Sequence, residues 1–444
     1  MNSSLKATSI VGAGPVGCLA AILMARKGNP VTVFEADSCS RPRFAGEWLH
    51  PGGVRALERA GILSPDDAWG DLSHRGFVIF PDDGSEPIQL DYPEGDRGLV
   101  CEHGHLVDSL RAKAIAHERV EMISGARVVK VEKGRVEYHL NRSPDPQIHL
   151  TEHVVGADGR GSLVRPALNL SRSSKLISYM VGLMLHDVEL PFPHYGHVIL
   201  GAPGPILLYR VAPNLVRVSI DVPTELAPGK NHWQSLLKSD YAPHLPEELR
   251  RAFEQALRTE SLQFRANRYR PRSAYGNTHL SLIGDAVGFQ HPLTAMGMTL
   301  GFHDAEALAE ANSFDEFRKG RRSMTLVPEM LSMTLYQAFS GRDPGAAEVR
   351  KAIYAMWRRY PNERERTMRL LAGEITSPVG FSISFLRGIQ LALWGSVDAD
   401  LFRFQWRNLS STVGSIAQLL QEAAICSYSR FGKDLPMESA SNRG

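Results

Sequence analysis

The chain has 444 residues, enough for a large core and two or three structural units. Hydrophobic residues make up 43% and charged residues 22%, the balance of a soluble globular enzyme, and a formal net charge of +2 gives no electrostatic case for nucleic acid. Four scattered cysteines (Cys18, Cys39, Cys101, Cys426) with no C-x-x-C argue against a zinc site or a disulfide framework, and no metal is expected.

The N-terminus is short and polar before Ile10, so no signal peptide is expected. No apolar run reaches the ~18 residues of a membrane span. A cytoplasmic protein, or one peripheral to a membrane, is expected.

Ser9-Ile10-Val11 reads as a buried strand, followed by Gly12-x-Gly14-Pro15-Val16-Gly17 and an apolar helix to Arg26. In a G-x-G-x-x-G turn the first glycine allows the tight bend, the second admits a pyrophosphate, and the third lets helix pack on strand. The strand Val31–Phe34 then ends in Glu35, placed for a ribose hydroxyl. This spacing predicts a dinucleotide site and leaves FAD and NAD(P) both open. Residues 36–43 form a basic loop, and Gly52-Gly53 opens a helix at 54–60, either close to a ligand or as a simple capped loop.

Residues 75–92 alternate as a β-hairpin around Pro81-Asp-Asp-Gly84, and 106–117 is helical. Val120–Ile123 and Arg127–Val131 read as strands returning to the nucleotide-binding sheet. A strand ends at Gly156-Ala157, Asp158-Gly159 turns, and Ser162 can cap the next helix. The stretch 179–222 reads as an antiparallel sheet with one face over a pocket, and 233–257 as mostly helical.

A further buried strand ends at Gly284-Asp285. After it come a proline-containing loop and a helix starting near Gly297-Met298. Asp285 can accept from a ribityl hydroxyl or simply cap the turn, and the helix start can face a ring that carries negative charge. From 305 to 428 the pattern is helical, with breaks at 341–345, 360–361 and 377–380, and Leu331, Leu335, Ala338 and Phe339 form a core stripe. Residues 437–444 read as a disordered tail.

Three motifs in this order, Gly12–Gly17 with Glu35, Gly156-Ala-Asp-Gly159, and Gly284-Asp285 with Pro292, resemble the glutathione-reductase-type FAD fold of single-component flavin monooxygenases. Arg43-Phe-Ala-Gly-Glu-Trp-Leu-His-Pro-Gly-Gly53 and Gly284–Thr299 are similar to segments of the squalene monooxygenase family, and the likeness runs from about residue 8 to about 395.

The resemblance implies an α/β fold. It comprises an FAD-binding Rossmann unit (1–75, 98–178, 270–312), an inserted antiparallel β-sheet substrate unit (76–97, 179–269) and a helical C-terminal region (313–436). It also implies an activity. One oxygen atom would be inserted, by hydroxylation or epoxidation, into a large apolar or aromatic substrate through O2 activated on reduced FAD. NAD(P)H or a partner reductase would supply electrons, and a carrier- or peptide-borne substrate is left open. The alternative on the same fold is an FAD-dependent reductase of a prenyl-type or polyketide substrate. The implied cofactor residues are Gly12, Gly14, Pro15, Val16, Gly17, Glu35, Arg43, His105, Val128, Asp158, Gly159, Gly284, Asp285, Pro292, Gly297 and Met298.

The chain departs from the family at several places. His50 stands where the family has glutamine, Phe77 where it has tyrosine, Ala295 and Met296 where it has glycines, and His105 where it has arginine. His50 and Phe77 are therefore the substrate-pocket candidates, His50 either as a general base or as a hydrogen-bonding histidine. His291 reads as a loop-orienting residue. The apolar stretch 381–397 either docks on a membrane surface or lids the pocket.

Overall fold

A computed structural model describes residues 7–40, 44, 46–63, 72–141, 143–227, 229, 232–395 and 406–431. Arg43 and the tail at 437–444 lie outside them. Buried apolar strands joined by helical crossovers make a five-stranded, all-parallel sheet. Its order is Leu280–Leu282, His153–Gly156, Thr8–Val11, Val31–Glu35, Val120–Ser124. The helices Pro15–Arg26 and His103–Ile115 pack on it, with Gly297–Glu310 against the first of them, and the ends of four strands open toward one crevice.

The strand Ala126–Glu132 does not return to this sheet as expected. Gly125, at φ +75°, turns the chain out, and the strand pairs antiparallel with Arg135–Leu140, which pairs with Gln147–Leu150.

The second large sheet has seven strands in the order Gln263–Tyr269, Lys175–His186, Leu215–Pro223, Ile206–Ala212, Tyr195–Ile199, Gly76–Phe80, Ile88–Asp91. All neighbours are antiparallel except Tyr195–Ile199 with Gly76–Phe80. The hairpin at 76–91 thus joins the later strands in one sheet. Strand Lys175–His186 crosses the boundary expected at 178.

The strand period of two sorts the side chains of this sheet. Val216, Val218, Ile220 and Val222 join an apolar core beneath the helix Glu247–Thr259. The alternate residues Arg217, Ser219 and Asp221 are polar yet also buried, and they face the other way. A polar inner face on a buried strand marks the side that carries function.

Six helices, Phe314–Met324, Leu326–Ser340, Pro344–Arg359, Pro361–Leu371, Pro378–Gly395 and Trp406–Phe431, complete the described chain. Three of them begin at a proline, Pro344, Pro361 and Pro378, and Ser313 and Asp343 cap two of their N-termini. The expected stripe Leu331, Ala338 and Phe339 is buried, with Leu335 packed against it. Asp82, in the hairpin turn, accepts from Arg350 and Tyr354 and ties the helices to the sheet.

Among the described residues no helix is long and apolar enough to cross a membrane. On Pro378–Gly395, Phe381 is buried, while Val379, Ile383 and Leu386 are exposed at helical spacing.

Candidate FAD and substrate site

A cavity of about 680 Å³ runs from the glycine turn at 12–17 to the inner face of the seven-stranded sheet. Its first end is made of backbone. Gly12 has φ +101°, and a Cβ there would lie 2.7 Å from the Ala157 carbonyl oxygen. A Cβ on Gly17 would lie 2.0 Å from the Gly12 carbonyl oxygen. A Cβ on Gly14 would meet nothing within 4 Å, so that position faces open cavity. Tight turn, open approach and close packing fall on the first, second and third glycines respectively. The helix Pro15–Arg26 starts here, with free N–H groups toward the cavity.

Glu35 accepts from the Ala13 N–H at 2.8 Å and the Asp37 N–H at 2.9 Å, and pairs with Arg111 at 3.0 Å. Arg111 also donates to the Ala13 carbonyl at 3.0 Å. Arg111 lines the cavity with His103 and Val107, one face of the helix His103–Ile115. His105 sits in the first turn of that helix, but on its exposed side and off the cavity wall. The helical period puts the ligand-facing positions two residues to either side of it. Val128 lines the cavity from the antiparallel strand.

The middle of the cavity carries the two aspartates. Asp158 turns its carboxylate onto the Leu163 and Val164 N–H groups, at 2.6 and 3.3 Å, and burial pushes its pKa up against those bonds. Ser162 accepts from the Arg165 N–H at 3.3 Å, one residue before the N-cap position of the short helix Val164–Ala167, which Leu163 occupies. Asp285 pairs with Arg160 at 3.2 Å. The Gly284–Gly288 turn is held from below by a buried ion cluster. Asp304 accepts from the Gly284 N–H at 2.8 Å and from Arg272 and Arg321, and Arg272 also donates to the Gly284 and Gly288 carbonyls.

Pro292, Ala295, Gly297 and Met298 continue along the wall. His291, fully buried, anchors this loop. Its Nε2 donates to Asp221 at 2.9 Å, its Nδ1 accepts from the Leu293 N–H at 3.2 Å, and its ring stacks on Tyr336 at 3.8 Å. That is the loop-orienting role the sequence pointed to.

The far end is made of side chains from distant segments. Trp48 stacks on Phe77 with centroids 4.6 Å apart, and both line the cavity with Phe44, Met180, Leu207 and Tyr209. Behind them Arg217 grips Glu47 through contacts of 2.6–3.2 Å, both side chains buried, and Tyr209 donates to the same carboxylate at 3.0 Å. Burial holds the Tyr209 hydroxyl well above the usual tyrosine pKa.

His50 does not line the cavity. It is fully buried behind Trp48 and Phe77, its ring nitrogens engaged by Thr294 and Tyr92, and burial pushes its pKa down to about 4. A base so placed reaches no substrate proton. Gly52 and Gly53 are also absent from the cavity wall. Cβ atoms there would meet the Ala372 carbonyl oxygen at 2.5 Å and the Leu49 side chain at 2.3 Å, so this pair serves helix packing.

The residues present fit FAD. Gly14 leaves a cradle that a Cβ would fill, the two helix N-termini at Pro15 and Gly297 face the cavity, and Gln290 Nε2 on its wall is buried without a hydrogen-bond partner. Among the described residues no group of three or more histidine, cysteine or acidic side chains could hold a metal ion.

Sequence reasoning missed Glu47, Arg217, Arg111 and Asp304. For Arg217 the signal was available, a charged residue in a strand whose alternate positions are all valine or isoleucine.

Comparison with known proteins agrees with this geometry. A family model described as squalene epoxidase matches residues 149–395, and one described as an NAD(P)-binding Rossmann-like domain matches residues 10–57. The squalene monooxygenase of Mus musculus is 28% identical over 399 residues, covering 84% of this chain and 66% of its own. This chain therefore spans just under two thirds of that relative. The squalene monooxygenase of Eremothecium gossypii is 28% identical over 427 residues, covering 83% of this chain and 84% of its own. Among solved structures, the p-nitrophenol 4-monooxygenase of Pseudomonas putida superposes with a TM-score of 0.68 at 19% identity, covering 83% of this chain and 96% of its own. A flavin-dependent brominase gives the same TM-score at 17% identity, covering 88% and 99%. At such identities the structural likeness shows the fold, an α/β Rossmann unit with an added sheet and C-terminal helices. The family model covers more than half of the sequence, and the chain belongs to the squalene epoxidase family of FAD-dependent monooxygenases.

Proposed function

We propose that this chain inserts one oxygen atom from O2 into a large apolar or aromatic substrate, with FAD as the resident cofactor. The observation that carries the reading is the single cavity joining the Gly14–Glu35 turn, the Asp158 and Asp285 turns, and the aromatic wall of Trp48 and Phe77. Gly12, Gly14, Pro15, Val16 and Glu35 would hold the adenosine and pyrophosphate end, with Val128 and Arg111 beside them. Asp158, Gly159, Gly284 and Asp285 would meet the ribityl and pyrophosphate groups. Pro292, Gly297 and Met298 would seat the isoalloxazine, and Arg43 is kept as a phosphate or ribityl contact on sequence grounds alone. Reduced FAD, when bound, supplies the electrons that activate O2 for transfer to carbon.

The protein's part is binding, orientation and exclusion of water. The N-terminus of the helix Gly297–Glu310 points its free N–H groups and positive dipole end at the cavity and favours negative charge on a reduced ring. Phe44, Trp48, Phe77, Met180 and Leu207 present an apolar wall that keeps water from the reacting atoms and receives a lipophilic substrate. No side-chain nucleophile is required, and Phe77 is a substrate-contact residue. A membrane surface is the source of such a substrate in this reading, met by the exposed Val379, Ile383 and Leu386. Electrons come from NAD(P)H directly or through a partner reductase.

Titration of the purified chain with FAD tests the first half of the proposal, with one flavin per chain expected. NAD(P)H oxidation with squalene or a prenylated phenol as probe, with and without a reductase, tests the second. A chain that takes up no flavin contradicts the proposal.

A further inference from the structure

The aromatic wall and the cofactor loop are joined by a run of hydrogen bonds whose direction is fixed. Trp48 Nε1 can only donate, and its partner, 3.2 Å away, is the Tyr92 hydroxyl oxygen. The Thr294 carbonyl can only accept, so the His50 nitrogen 2.8 Å from it, Nε2, carries a proton. Burial keeps His50 neutral at neutral pH, so its Nδ1 is an acceptor, and the Tyr92 hydroxyl donates to it across 2.7 Å. Every hydrogen in the run Trp48, Tyr92, His50, Thr294 points from the wall toward the loop. All four residues are buried, so water offers no ready replacement for a lost partner.

The bond to Thr294 matters because Ala295 is the next residue in the chain. Ala295 has φ +49°, a left-handed conformation that a residue with a Cβ disfavours, and it lines the cavity between Pro292 and Gly297. The loop is gripped at both ends. His291 fixes its start to Asp221, and His50 fixes the carbonyl just before the disfavoured residue. Released at Thr294, the loop could relax Ala295 and shift Pro292 relative to the helix start at Gly297.

We propose that His50 is a positioning residue that holds the Thr294 carbonyl, and with it the left-handed Ala295, so that the Pro292–Met298 loop keeps the shape that seats the flavin ring. The proposal rests on the reading that this cavity takes FAD. It assigns His50 no contact with substrate and no proton transfer. It also gives Tyr92 and Trp48 a part, as the links that orient the His50 ring.

The test is FAD titration into flavin-free wild-type, His50→Gln, His50→Leu and Tyr92→Phe proteins. The readouts are dissociation constant, the visible spectrum of the bound flavin, and thermal melting of the flavin-free chain. Glutamine can accept from Tyr92 and donate to Thr294, so His50→Gln should bind within ~three-fold of wild type with an unchanged spectrum. His50→Leu should bind ~ten-fold or more weakly and shift the flavin spectrum, the scale of one lost buried hydrogen bond. Tyr92→Phe should lie between them, and it carries the test if His50→Leu does not fold.

A merely structural histidine would lower the melting temperature and leave the bound-flavin spectrum alone. A folded His50→Leu protein with wild-type affinity and spectrum would overturn the proposal. So would His50→Gln as weak as His50→Leu, or, where the leucine variant is unfolded, Tyr92→Phe indistinguishable from wild type. A wild-type protein that takes up no FAD would overturn the functional reading as well.

Discussion

The two ends of the cavity are built from different materials. At the Gly12–Glu35 end the wall is built around a backbone turn, whose residues lie within about 30 positions in one strand–turn–helix–strand unit, with His103, Val107, Arg111 and Val128 added from outside it. At the Trp48–Tyr209 end the walls are side chains from segments up to 170 residues apart, as in Glu47 with Arg217. A backbone site tolerates little at its glycines and is indifferent to most side chains. A side-chain site depends on pairs, and losing one partner leaves the other buried and unpaired. The two ends should therefore fail in different ways.

The largest effect is expected at the side-chain end. Glu47→Ala leaves the Arg217 guanidinium buried without its carboxylate, which should cost ~3–5 kcal/mol in chemical denaturation. The Glu47→Gln variant keeps a hydrogen-bond acceptor for Tyr209 and should cost less. If Glu47→Ala unfolds at the wild-type denaturant concentration, the buried pair is not what organises this end.

Next comes the glycine end. Gly17→Ala forces a Cβ to 2.0 Å from the Gly12 carbonyl, and the strand–helix unit must shift. A loss of ~1–3 kcal/mol in thermal or chemical unfolding is expected, with flavin affinity falling along with it.

Acid should act mainly through buried histidines. His50, His74, His197 and His303 are each pushed down to about 4 by burial, from an ordinary value of 6.5. They are neutral in the folded chain and bind protons more readily unfolded. Their stabilisation is present above pH 6.5 and is lost as pH falls toward 4. Each contributes a slope of up to ~1.4 kcal/mol per pH unit inside that window. Stability measured across the window should fall less steeply in His50→Gln than in wild type. Equal slopes would show that His50 does not titrate in that range.

The smallest effect on stability belongs to Gly14→Ala. Its Cβ meets no atom of the protein within 4 Å, so the flavin-free chain should unfold within ~0.5 kcal/mol of wild type. Its FAD affinity should nonetheless drop, because the added methyl occupies the cofactor's approach. Gly14 and Gly17, three residues apart, thus separate binding from folding.

The contrast also explains what could be read from the sequence. Gly12, Gly14, Gly17, Asp158 and Asp285 were legible because a tight turn, a close approach and a strand-end acid each restrict residue type locally. The helical breaks at 341–345 and 360–361 were legible for the same reason, through proline and glycine. His50 was legible as a departure but not in its role, because its partners Tyr92 and Thr294 lie 42 and 244 residues away. The Arg272–Asp304–Arg321 cluster left only a faint trace, an aspartate on the buried face of an apolar helix. His105 was drawn from family position, whereas helix register puts His103, Val107 and Arg111 on the wall. The exit of strand Ala126–Glu132 from the parallel sheet depends on the turn at Gly125, which periodicity within the strand does not report.

Oxygen insertion at a flavin seated between Pro292–Met298 and the Trp48–Phe77 wall is the proposed activity. Turnover of a responsive lipophilic substrate under 18O2, with product mass as the readout, tests it most directly. Product heavier by one 18O atom is the predicted result. Label confined to water or peroxide, with product that has gained two hydrogens instead, would contradict it.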